Sequence, residues 1–111
     1  MRSISINRNR KSFKNPTALT LAFKALRSLG YFARQDFMCC QSCAWYEVPE
    51  GKEDKVVFYH RQDKQGMLQN GECYLGWTGD GTEICYTLRS FGLTVEWDGS
   101  DEKRILIKNI F

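Results

Sequence analysis

Five cysteines and one histidine carry most of the chemical options of this 111-residue chain. Three of the cysteines fall in one short stretch, Cys39-Cys40-Gln41-Ser42-Cys43. A Cys-x-x-Cys pair on a tight turn can aim both sulfurs at one tetrahedral metal, because the turn's backbone amides face the thiolates. A closed zinc site takes four ligands, and no second Cys-x-x-Cys is present. The missing ligands therefore have to come from scattered residues. The expected set is Cys40, Cys43 and His60, completed by Cys39 or Cys73.

Three readings compete for this turn: reduced structural thiols, a zinc site, and a redox or nucleophilic centre. Cys40 and Cys43 have the thioredoxin-like spacing, but the strand expected before them leads into no helix whose N-terminus would lower a thiol pKa. A nucleophile with His60 as base and Asp63 as orienting carboxylate can be drawn from residue types alone. Elsewhere the residues read as structure. Cys73 alternates with Leu75 and Trp77 and so faces a core, and Cys85 shares an apolar stripe with Ile84 and Leu88. The acidic run around Glu96, Asp98, Asp101 and Glu102 lacks the spacing of a calcium loop and reads as a charged hairpin tip.

Charge is divided unevenly along the chain. Residues 1–35 hold eight basic side chains (Arg2, Arg8, Arg10, Lys11, Lys14, Lys24, Arg27, Arg34) and no acidic one, so the two parts carry +8 and −5. Such asymmetry suits an arm for nucleic acid or for an acidic protein surface, and equally a solvated tail followed by an ordinary helix face. The aromatic residues lie mostly in the later segments, apart from these basic residues, which favours core or protein-binding roles for the rings.

The elements that must position these groups follow from periodicity. Residues 1–15 are polar and basic and read as a flexible arm. Residues 16–111 read as one domain. Asn15-Pro16 supplies a cap and a first-turn proline for a helix whose apolar face carries Leu19, Ala22, Phe23, Leu26 and Leu29, and which ends at Gly30. Residues 31–37 and 44–48 read as a strand and its hairpin partner, with the cysteine turn between them. Further strands are expected at 55–60 and 73–77, a second helix from Asp80 or Thr82 to Gly92, and a closing hairpin of 93–97 and 104–110 about Asp98-Gly99.

The expected fold is therefore α+β: an antiparallel sheet of about five to six strands with two helices on one face, in the order helix, strands, helix, hairpin. A faint repeat supports it, since Leu26-Arg27-Ser28-Leu29-Gly30 and Leu88-Arg89-Ser90-Phe91-Gly92 recur 62 residues apart, each before a strand.

Several of these segments together resemble a family of small bacterial proteins and domains without an assigned activity. The resemblance rests on Gly30-Tyr31-Phe32-Ala33-Arg34-Gln35-Asp36-Phe37, the cysteine turn, Val57-Phe58-Tyr59-His60-Arg61-Gln62-Asp63, Tyr74-Leu75, and Gly92-Leu93-Thr94-Val95-Glu96-Trp97-Asp98-Gly99. It spans residues 26–107 and implies that the cysteine turn, His60, Gln62, Asp63 and the turn from Glu96 to Gly99, Asp98 included, belong to one site. The basic arm has no counterpart in it.

No stretch approaches the roughly 18 consecutive apolar residues of a membrane span, and the first residues lack the apolar core of a secretory signal, so a cytoplasmic location without membrane contact is expected. The leading functional expectation is a non-enzymatic protein-binding or regulatory module with a structural, zinc-holding cysteine turn. A phage or mobile-element inhibitor of a host complex is one specific form of it. The alternatives are a thiol-dependent enzyme or redox protein using Cys40, Cys43 and His60, and nucleic-acid binding through Arg8, Arg10, Lys11, Lys14, Lys24 and Arg27.

Overall fold

The computed structural model describes residues 17–108 and residue 110. The basic arm, with Arg8, Arg10, Lys11 and Lys14, and the Asn15-Pro16 cap lie outside the described residues. Helix α1 (Thr17–Ser28) leads into strand β1 (Phe32–Arg34), helix α2 (Gln41–Glu47), strand β2 (Val56–Phe58), helix α3 (Arg61–Asn70), strand β3 (Cys73–Thr78), helix α4 (Gly81–Ser90), and strands β4 (Thr94–Glu96) and β5 (Ile105–Lys108). The class is α+β as expected, but the described residues form four helices rather than two, and five strands in the order β1-β2-β3-β5-β4.

The sheet is mixed, not antiparallel throughout. β1 runs parallel to β2, pairing Phe32 with Val56 and Arg34 with Phe58, while every other pair is antiparallel. A parallel neighbour cannot be reached by a tight turn and needs a crossover, and α2 occupies that crossover. Residues 44–48, expected as a hairpin partner of β1, are for this reason mostly helical. Ala44 and Val48, four residues apart, turn inward onto Val56 and Phe58, a helical spacing too brief to outweigh the strand propensity of Trp45 and Tyr46. α3 occupies a stretch for which the sequence predicts no regular element. It is polar nearly all round, with Met67 as its buried anchor, so periodicity could not reveal it.

Side chains alternate strictly across the sheet. Ala33, Val57, Leu75, Trp77, Val95, Ile105 and Ile107 point to one face, where they meet Leu19, Ala22, Phe23 and Leu26 of α1 and Ile84, Cys85 and Leu88 of α4. Leu29, expected on the same stripe, falls beyond the last turn of α1 and is 43% exposed. The opposite face carries a second, smaller cluster in which Ala44, Val48, Val56 and Phe58 are joined by Phe32, Phe37 and Trp45. α2 covers this face only at the β1–β2 end.

The 62-residue repeat is a structural one. Gly30 and Gly92 both take positive φ, at 97° and 88°, closing α1 and α4 in the same way. The amide of Tyr31 donates to Leu26 O at 3.0 Å and that of Leu93 to Leu88 O at 3.4 Å, each spanning five residues as in a Schellman cap. Arg27 then donates to Ala33 O at 3.0 Å, and Arg89 to Val95 O at 3.1 Å. The two matched helix-glycine-strand units thus place β1 and β4 at the two edges of the sheet.

Candidate thiol site and the part-buried ion network beside it

The loop that carries the cysteines leaves β1 in an irregular path. Asp36 and Met38, neither of them glycine, sit at φ 51° and 63°, a left-handed conformation that side chains adopt only when the surroundings hold them there. The restraints are visible. The Phe37 amide donates to Tyr59 O at 2.8 Å, and the Arg61 amide to Met38 O at 3.0 Å. The Asp36 carboxylate meets Lys64 at 3.3 Å and Arg61 at 3.5 Å, and the Phe37 ring stacks edge-on with Phe32 and Phe58. The loop is therefore stitched to the junction of β2 and α3, on both sides of His60.

Beyond that loop, Cys40 is the N-cap residue of α2, with extended backbone, and Cys43 lies in the helix's first turn. A helix does follow the β1 segment after all, contrary to the sequence expectation. The Cys39 sulfur lies 3.9 Å from that of Cys40 and 3.6 Å from that of Cys43. The three ligand atoms stand within 4.8 Å of one another, a grouping that can hold a metal ion. Cys40 closes no capping hydrogen bond through its side chain. Its thiol is nonetheless pulled below the ordinary range, chiefly by the backbone amide of Cys43. Cys43 is pushed up to about 11, first by its contact with Cys39 and then with Cys40, because adjacent sulfurs cannot all ionise without a compensating charge. A bound cation supplies that charge.

His60 and Cys73 do not belong to the sulfur group. His60 is buried and caps α3, accepting the Asp63 amide on Nδ1 at 3.3 Å, with Nε2 3.2 Å from the Asp63 carboxylate. Burial holds its pKa below the usual histidine value, the neighbouring Asp63 opposing the shift and Arg104 adding to it. Arg104 reaches across from the start of β5 and grips both Asp63 carboxylate oxygens, while donating to Tyr74 O at 3.0 Å. Cys73 faces the main core at 2% exposure, and burial raises its thiol pKa. Cys85 is packing, as expected.

The other residues singled out from the sequence are dispersed. Gln62 is exposed on the first turn of α3, and Lys24 and Arg27 are exposed on α1. Glu96 pairs with Lys108 across the hairpin at 3.2 Å, and Asp98 accepts the Ser100 amide at 2.8 Å inside the turn. Sequence reasoning missed Arg104 and Trp45. Arg104 stands 41 residues from Asp63, and nothing local joins them; only the pairing of β3 with β5 brings them together. Trp45 packs edge-on against Phe58 with ring centres 4.9 Å apart.

These features define a small α+β domain with a three-thiol cluster on one face and a part-buried His-Asp-Arg network beneath the loop that holds it. The chain belongs to a family of domains of unknown function, DUF6891, which matches residues 9–111. No curated protein and no solved structure matches it. Among the described residues, no helix is long and apolar enough to cross a membrane.

Proposed function

We propose that this chain is a non-enzymatic binding domain in which Cys39, Cys40 and Cys43 hold one zinc ion as thiolates, with the fourth position open to a group from a protein partner. The observation that carries the reading is the convergence of three sulfurs within 4.8 Å on an exposed turn, with no histidine or carboxylate among the described residues joining them. A site with three protein ligands keeps an exchangeable position, whereas a purely structural zinc is closed by four.

The surroundings support a protein partner. Beside Cys43 lies a mostly apolar cavity of about 350 Å³ lined by Met38, Ser42, Tyr46 and Glu47. Tyr46 is 85% exposed, and exposed tyrosines and methionines are enriched at protein interfaces.

The test is the zinc content of full-length protein purified without chelator, with reactive thiols counted before and after chelation. The expected result is about one zinc per chain, with thiols of the turn protected until chelation. Metal-free protein with a rapidly reactive thiol would overturn the reading and favour the second one, a dithiol redox centre. That alternative has its own support in the 3.6 Å separation of Cys39 and Cys43 and in the lowered Cys40 thiol.

A further inference from the structure

The two matched helix-glycine-strand units, which end at opposite edges of the sheet, differ in charge. At β4, Arg89 alone donates to Val95 O, and the next residue, Glu96, pairs with Lys108. At β1, the position 62 residues before Glu96 is Arg34, and it joins Arg27 on one carbonyl, Ala33 O, each Nη1 at 3.0 Å. One arginine suffices to cap an edge-strand carbonyl, as β4 shows, so capping does not explain the second at β1. The shared oxygen keeps those two Nη atoms no further apart than twice that distance. Neither guanidinium has a carboxylate partner among the described residues.

A cavity of about 280 Å³ opens at this edge, between the end of α1, strand β1 and the turn after α2. Its charged lining is Arg27, Arg34 and Lys52, and the remainder is Gly30, Tyr31, Phe32 and Pro49. The acidic residues of the adjoining turn, Glu50, Glu53 and Asp54, do not line it, and Glu53 turns back to accept the Gly51 amide at 2.8 Å. Arg34 is held in place by its neighbour, its guanidinium lying 4.2 Å from the centre of the Phe32 ring. Three cations around one hollow repel one another, and an anion seated among them relieves that repulsion.

We propose that this cavity binds a phosphate dianion, free or as the monoester end of a small molecule. Two guanidinium forks match phosphate oxygens in pairs, and Lys52 adds a point charge. Three positive charges call for more than the single negative charge of a carboxylate or a phosphodiester. A hollow of this size, rather than a stripe of cations, favours a small terminal group over a nucleic-acid strand.

The site shares no residue with the sulfur cluster and does not depend on metal there.

The experiment titrates the full chain with inorganic phosphate, phenyl phosphate and a short oligothymidylate, at an ionic strength held constant with sodium chloride. Binding is followed in ¹H–¹⁵N spectra that include the Gly30 amide and the Nε–H groups of Arg27 and Arg34. The expected result is saturable shifts at these groups with inorganic or phenyl phosphate, weakened about tenfold or more by Arg34→Glu. That variant reproduces the β4 arrangement and leaves the Arg27 cap in place. Affinity for inorganic phosphate at least equal to that for phenyl phosphate assigns the site to the free ion, and tighter phenyl phosphate assigns it to an ester. No saturable shift, shifts confined to other groups, unchanged affinity in Arg34→Glu, or tighter binding of the oligothymidylate at the same groups would each overturn the proposal. The comparison of probes on the unaltered protein stands even if the variant does not fold.

Discussion

At the scale of single residues, His60 shows how position changes what a residue type means. As the only histidine it invited a role as ligand or base, yet the fold uses it as a helix cap. Its Nδ1 must be unprotonated to accept the Asp63 amide, and burial further favours the neutral ring. The folded-state pKa therefore lies below the unfolded value of about 6.5, so below that pH the unfolded chain binds more protons. Stability is fully present above the unfolded pKa and is lost as pH falls through the folded one. Because no other histidine contributes, urea unfolding between about pH 5 and pH 7 should show stability rising with pH, and His60→Gln should flatten that slope. An unchanged slope in the variant would remove His60 from the account.

At the scale of elements, the start of α4 offers a sharp test of packing against propensity. Asp80 caps the helix by accepting the amides of Thr82 and Glu83 at 3.0 and 3.2 Å, and Gly81 is its first residue. Helix propensity alone would make alanine at 81 stabilising by up to about 1 kcal/mol. A Cβ there, however, would lie 2.5 Å from the Trp97 ring and 2.9 Å from the Trp77 ring. Neither indole can yield freely, since the two stack edge-on and donate to Ser100 O and Lys103 O, both at 2.9 Å. Gly81→Ala should destabilise the domain by about 1–3 kcal/mol in chemical denaturation, the usual cost of overpacking. A gain in stability would show that the tryptophans are loosely held.

At the scale of the whole molecule, the sheet is unequally clad. The main core joins α1, α4 and inward residues of all five strands, while α2 rests on the smaller cluster about Phe58. Local opening follows such differences in buried contact. Amide hydrogen exchange should therefore be slowest in β3, at the centre of the sheet, and faster in α2. If Cys40 and Cys43 hold zinc, one equivalent should slow exchange in α2 and leave β3 unchanged, because the metal ties the first turn of that helix to the loop before it. Equal protection of both elements would show instead that α2 and the main core open as one unit.

Much of this architecture was legible in the sequence because the signals were local. The apolar stripe from Leu19 to Leu26, the glycines at 30 and 92, the Asp80 cap and the β4–β5 hairpin each follow from side-chain period or from a backbone conformation that few residues tolerate. The cysteine turn was visible for the same reason, its three thiols lying within five residues. Tertiary structure alone decided what depends on distant partners. The parallel pairing of β1 with β2 turned residues 41–47 into a crossover helix, and the sheet order carried Arg104 to Asp63. It also placed His60 and Cys73 outside the sulfur group. Period and propensity act over a few residues, whereas strand order, and hence which side chains share a site, is settled by the burial of both faces of the sheet at once.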